Sequence, residues 1–156
     1  MFYIFYIGAD CLFEELKKNI EDFIKANRLD NGSIGRNTSE EFVVVFDWAT
    51  MSMKEGGQGL AFISEDYQMN LTYRLWFEVF HREANWAERF MTFIGHMLSS
   101  VEGDCVLESN GDTPILIRRN GNVVVDDKKM NGTQRFPFYA LHYPFVEGDE
   151  LEVDER

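Results

Sequence analysis

Positive charge is what this chain lacks most. Its 156 residues hold 15 Lys and Arg against 27 Asp and Glu, a formal net charge of −12. Neutralising several phosphates of a nucleic acid needs a cluster of cations that is missing here, and a large negative field also repels anionic lipid. Direct contact with nucleic acid or with a membrane is therefore not expected. Cysteine is scarcer still. Cys11 and Cys105 form no CxxC pair and have no His neighbours at ligand spacing, so neither a disulfide scaffold nor a zinc site is indicated. They read as two buried, reduced thiols of a cytosolic protein. His81, His96 and His142 fall in no HxxxH or HExxH pattern, and His96, on a polar helix face, reads as a solvated residue. Gly56-Gly57-Gln58-Gly59 lacks the Lys-Ser/Thr of a phosphate-binding loop, and no GxSxG elbow occurs. No motif calls for a metal or a cofactor. No apolar run approaches the roughly 18–20 residues that span a bilayer. The apolar stretch Met1 to Ala9 has no basic flank and reads as a first strand rather than a signal peptide.

Apolar residues are plentiful by contrast, at 45% with 15% aromatic, enough to build a real core. The length suits one domain, placed at 1–146, followed by an acidic tail over 147–156. Residues 1–8 are apolar on both alternating faces, as in a central strand covered on both sides. Asp10 is placed to cap a helix running to about Asn27, with Leu12, Leu16, Ile20, Phe23 and Ile24 inward and Glu14, Lys17, Lys18, Glu21, Asp22 and Lys25 outward. Arg28 to Ser39 reads as a polar loop. Phe42 to Trp48 and Leu60 to Glu65 read as strands, joined by a Met- and Gly-rich linker over Thr50 to Gly59. Asn70 to Phe80 alternates as a strand, and a second helix is expected from about Asn85 to Val101. Cys105 to Ser109, Pro114 to Arg119 and Asn122 to Asp126 form three strands. Asn120-Gly121 is a type I′ hairpin signal that would set Arg119 opposite Asn122 and Ile117 opposite Val124. The aromatic stretch Thr133 to Phe145 should pack across the domain. The expected order is βα–βββ–α–βββ, an α+β domain with a largely antiparallel sheet and two main helices.

The charge is uneven along the chain. Residues 1–102 carry 16 acids and 9 bases, residues 103–146 five of each, and Glu147 to Arg156 six acids and one Arg. A basic partner is the natural counterpart, and the surface facing it is expected on the first two thirds and the tail. The exposed acids Glu14, Glu21 and Asp22 of the first helix and Asp149, Glu150 and Glu152 of the tail are candidate contacts, although solubility alone also accounts for such residues. Trp76 falls on the polar face of its strand between Arg74 and Glu78. It is either a binding anchor, with Glu78 beside it, or core beneath a second covering layer. A competing chemistry is a metal-dependent nuclease built from Asp112, Asp126 and Lys128, two carboxylates for a divalent cation and a Lys near the attacking water. That layout is short, it falls where turns are rich in Asp, and a nuclease must bind a polyanion.

The run Gly103 to Val125, GDCVLESNGDTPILIRRNGNVVV, follows an amphipathic helix. Its cadence of Gly103-Asp104, strand, Asn110-Gly111-Asp112, strand, Arg118, Gly121 and strand resembles the Sit-type immunity group. These are small bacterial immunity proteins of toxin-exchange and contact-dependent growth-inhibition systems. The resemblance implies a non-enzymatic cytoplasmic protein that binds the C-terminal domain of one cognate toxin and blocks its active site. It transfers no functional residue, because these positions read as structural. A generic acidic interaction module is the alternative, and the sequence sets no oligomeric state.

Overall fold

The structure, a computed structural model, describes residues 1–111, 113–127 and 136–148. Its first strand, β1 (Phe2–Ile7), is followed by helix α1 (Phe13–Ala26), strands β2 (Ser33–Asn37), β3 (Phe42–Val45) and β4 (Ala49–Glu55), and helix α2 (Gln58–Tyr67). Then come β5 (Tyr73–Val79), α3 (Trp86–Ser100), β6 (Cys105–Ser109), β7 (Thr113–Arg119), β8 (Asn122–Val125) and β9 (Val146–Glu147), with a 3-10 turn over Phe138–Leu141. The nine strands form one sheet in the order β2-β3-β4-β5-β1-β6-β7-β8-β9. Every neighbouring pair is antiparallel except β8 with β9. The domain is α+β, as the element pattern implied.

The two-sided apolarity of β1 is explained by its central place. Tyr3, Phe5 and Ile7 enter a large core under α1 and α3, and Ile4 and Tyr6 enter a smaller one under α2. Phe13, Leu16, Ile20 and Phe23 of α1 share the large core with Phe90, Phe93, Ile94 and Met97 of α3, and Phe23 meets Phe93 edge to face at 5.1 Å. On the other face α2 seats Leu60 and Tyr67 over Ile4, Tyr6, Val106 and Ile117, and covers only that half of the sheet.

Several expectations are corrected. The first helix starts at Phe13, because the Glu15 carboxylate accepts the Leu12 N–H (2.9 Å) and Asp10 is left outside. Leu12 is consequently 70% exposed and Phe13 takes the inward position. Strand β2 lies within the expected loop: all its residues are exposed at the sheet edge, so no alternation marks it, and a bulge at Gly35 interrupts its register. The expected linker contains β4, whose buried Met51 and Met53 alternate with half-exposed Thr50 and Ser52. The expected strand over Leu60 to Glu65 is α2, where Leu60, Ile63 and Tyr67 recur at helical spacing toward the sheet. Lys17 is 3% exposed rather than solvated, with its ammonium held by Glu14, Asn37 Oδ1 (2.8 Å) and the Thr38 carbonyl (2.7 Å). His96 is half-buried rather than solvated, because α1 lies alongside and brings Asn19 and the Phe23 ring against it.

The Gly103–Val125 run is scaffold. Gly103 has φ +123°, and a Cβ there would lie 2.0 Å from the Gly8 carbonyl, so only glycine admits this approach of the β6 entry to β1. The Asp104 carboxylate accepts the Asn120 N–H (3.0 Å), and Asn110 Oδ1 accepts the Phe2 N–H (3.3 Å). Arg118 is buried beneath the last turn of α3. Its guanidinium donates to the carbonyls of Leu98 (2.7 Å), Val101 (2.6 Å) and Gly103 (2.8 Å) and lies over the Tyr143 ring. The first two are carbonyls that the end of α3 leaves without intrahelical partners. Asn120 and Gly121 both have positive φ, and Arg119 pairs with Asn122 and Ile117 with Val124 as expected of the I′ hairpin.

Candidate partner-binding surfaces

The acids of α1 and the Trp76–Glu78 pair occupy opposite faces of the sheet. Glu14, Glu21 and Asp22 sit on α1, which covers the large core. Asp22 is exposed and Glu21 half-exposed, but Glu14 is already committed to Lys17 at 3.0 Å. That contact joins α1 to the β2–β3 corner, because the same ammonium reaches Asn37 and Thr38. Trp76 and Glu78 project from β5 on the side that α2 only half covers. Trp76 is 36% exposed and stacks on Phe2, with centroids 4.4 Å apart and planes 11° from parallel. It is an exposed ring stacked on Phe2 at the margin of the small core, with Glu78 exposed two residues on. Beyond it Val43, Thr50 and Ser52 are half-exposed and Val45 is exposed. Asp149, Glu150 and Glu152 lie outside the described residues.

Where β1 leads into α1 the structure assembles acids that are scattered in sequence. Asp10, Glu15 and Glu102 surround an open depression of about 370 Å³ with Cys11 and Ser100. Burial, with Glu15 and Asp10 adding to it, pushes the Cys11 thiol up. The neighbouring Tyr73 hydroxyl donates to the Cys11 carbonyl, and burial followed by the Glu55 charge pushes it up to about 12. Cys105 is fully buried and its thiol is pushed up to about 12 by that burial. Cys11 is only half-buried, which corrects the expectation of two buried thiols; both are free.

A third surface was not foreseen. At the opposite end of β1, Trp86 at the start of α3 meets Phe136 (6.1 Å), Tyr3 (5.9 Å) and the His81 ring (5.3 Å). Tyr139, on the 3-10 turn, stands 65% exposed beside them. The expectation that this aromatic segment packs across the domain holds for its described residues Phe138, Ala140 and Leu141, which are buried in the large core, and for Phe136, Tyr143 and Phe145, which pack against it partly buried. The Tyr139 ring stays outside. Trp86 and Phe136 are about fifty positions apart in the chain, so no local pattern could have joined them.

Of the nuclease layout, Asp112 and Lys128 lie outside the described residues. Asp126 is buried, its N–H donating to the Ile115 carbonyl at 3.0 Å. Among the described residues no group of three or more His, Cys, Asp or Glu is placed to hold a metal ion, and no helix is long and apolar enough to cross a membrane.

No curated protein and no solved structure matches the chain. A family model does. The match covers residues 1–131, from β1 through the β7–β8 hairpin, and so takes in the Gly103–Val125 run together with both faces of the sheet. By that match the chain belongs to the SitI3-like family.

Proposed function

We propose that this protein is a cytoplasmic immunity protein that binds the C-terminal domain of one cognate toxin and blocks its active site without catalysing a reaction. Membership of the SitI3-like family carries this reading. The charge supports it: a net −12 on a well-cored domain attracts a basic partner and raises the encounter rate by roughly 10–10³-fold at low salt. Toxin domains that attack nucleic acid are basic by necessity, since they neutralise phosphates. An acidic inhibitor is their complement.

Candidate contacts are Glu21 and Asp22 of α1, Trp76 and Glu78 of β5, and Asp149, Glu150 and Glu152 of the tail. Glu14 contributes less, because Lys17 neutralises it. The α1 group and the β5 group face opposite ways, so a compact toxin domain would engage one of them. Charge reversal separates the two: Asp22→Lys weakens the complex in one case and Glu78→Lys in the other.

The decisive experiment co-expresses the protein with the C-terminal domain of the product of the gene immediately upstream. Growth should be restored, and the association rate should fall steeply between 0.01 M and 0.15 M salt as the Debye length shrinks from roughly 30 Å to 8 Å. Absence of rescue would remove the immunity reading. A salt-independent rate would reduce the acid excess to a solubility device.

A further inference from the structure

Trp86, Phe136, Pro137 and Tyr139, with Asn85 and Glu88, line an open depression of about 420 Å³ at the N-terminal end of α3. Its walls are aromatic and its single charged side chain is a carboxylate; among the described residues no base lines it. The Glu88 carboxylate is engaged with the pocket already, since its hydrogen bond with the Tyr139 hydroxyl pushes that hydroxyl up. Aromatic faces carry negative potential, so rings beside a carboxylate form a receptor for a cation. Among protein cations a guanidinium suits it best: it is planar, stacks on rings and donates in a fork that fits a carboxylate. The first turn of α3 brings the positive end of the helix dipole here, about half a charge, which the full charge of Glu88 outweighs, and the net charge of −12 also opposes an anion. The lining also has the composition of interface anchors, in which Trp and Tyr are enriched.

We infer that this pocket, bounded by Trp86, Phe136, Tyr139 and Glu88, receives an arginine side chain of the toxin domain. The inference rests on the immunity reading for the source of the arginine, and on the pocket alone for the chemistry of what it binds. It moves the anchor of the interface away from Trp76 and from the α1 acids to the end of the sheet where β1 begins.

Two measurements test it. The first needs no toxin: the peptide Ac-Gly-Arg-Gly-NH2 is titrated against the ¹⁵N-labelled protein, reading the indole N–H resonance of Trp86 beside those of Trp48 and Trp76. The Trp86 signal should shift saturably in the millimolar range, with Ac-Gly-Leu-Gly-NH2 and Ac-Gly-Glu-Gly-NH2 without effect. Glu88→Gln and Tyr139→Ala, both at exposed positions, should weaken the response about three- to fivefold. No shift with the arginine peptide, or an equal one with the leucine peptide, overturns the receptor. The second measures affinity for the upstream-encoded toxin domain, expected to drop about tenfold or more in Tyr139→Ala and Glu88→Gln. Unchanged affinity, while wild type still rescues growth, overturns the assignment of the toxin's arginine and leaves immunity standing. Failure of wild type to rescue sinks immunity instead, and the peptide result still decides the pocket. A dimer of this chain that dissociates in Tyr139→Ala would make a second copy the occupant, against the proposal.

Discussion

Replacing Arg118 by methionine should be among the most damaging single changes in the chain. The guanidinium is 3% exposed and reaches three main-chain carbonyls at 2.6 to 2.8 Å, those of Leu98, Val101 and Gly103. Methionine keeps most of the apolar stem and removes every donor. Each of the two buried carbonyls, those of Leu98 and Val101, costs about 1–3 kcal/mol when deprived of its donor, roughly 2–6 kcal/mol together, and the part-buried Gly103 carbonyl, which water can reach, adds less. Against this stands the desolvation of a buried cation, several kcal/mol, which the variant escapes. The charge here sits against the negative end of the α3 dipole, a favourable placement worth up to about 2 kcal/mol, so the donor loss should prevail. A net destabilisation of about 3–5 kcal/mol follows. With a urea m-value of about 2 kcal/mol/M, the unfolding midpoint, followed by tryptophan fluorescence, should fall by about 1.5–2.5 M with the slope unchanged. Arg118→Lys should fall between the two, because one ammonium cannot serve three diverging carbonyls. A methionine variant within about 1 kcal/mol of wild type would refute the reasoning. It would mean that the desolvation cost had cancelled all three bonds.

Gly95→Ala should lose about 1–3 kcal/mol despite the better helix propensity of alanine, because its Cβ would lie 1.9 Å from the backbone oxygen of Leu141; a melting temperature at or above wild type would contradict this packing. Tyr67→Phe removes a buried hydrogen bond to Glu108 (2.7 Å) and should cost about 1–2 kcal/mol. Faster amide exchange in that variant should be confined to α2, and uniform acceleration would show that α2 is not a separate unit. Burial holds the His96 imidazole below its ordinary value, outweighing the pull of Asn19 and Asp22, so the unfolded chain takes up this proton first. Its stabilisation is complete above about pH 6.5 and lost as pH falls through the folded value. The urea midpoint of wild type should therefore drop further from pH 7.5 to 5 than that of His96→Gln, and parallel curves would dismiss the assignment. Asp30, whose carboxyl burial pushes up, acts in the opposite sense and cancels in that comparison. Ellman's reagent at pH 8 should leave Cys105 unmodified until urea unfolds the protein, and two fast thiols in the native state would contradict its burial.

What could be read from the sequence was local and strongly periodic. Strand β1 announced its central position by being apolar at every residue, β5 by strict alternation, and the β7–β8 turn by Asn120-Gly121. The misread elements share a physical cause: their burial is set by what lies across the sheet. Strand β2 buries nothing, so its pairing leaves no mark in composition. Strand β4 uses methionine where a β-branched residue would have signalled a strand, and α2 needs Tyr67, beyond the apolar run, to complete its inward stripe. Arg118 did carry a signal: it stands two positions after Leu116 on the inward face of β7, where only a fully partnered cation is tolerated. The aromatic pocket carried none, because its walls come from the start of α3 and a turn far downstream.

The position of β1 in the middle of the sheet has a temporal consequence. Tyr3 pairs with Phe77 on one side and with Ser109 on the other, so the first strand made must wait for both partners. At roughly 5–20 residues per second of synthesis, that delay is about 5–20 s. Until then a wholly apolar strand has no ladder to join, and contacts of such long range also slow the final collapse. A sheet whose central strand is translated before both of its neighbours can close around that strand only after β6 has been made.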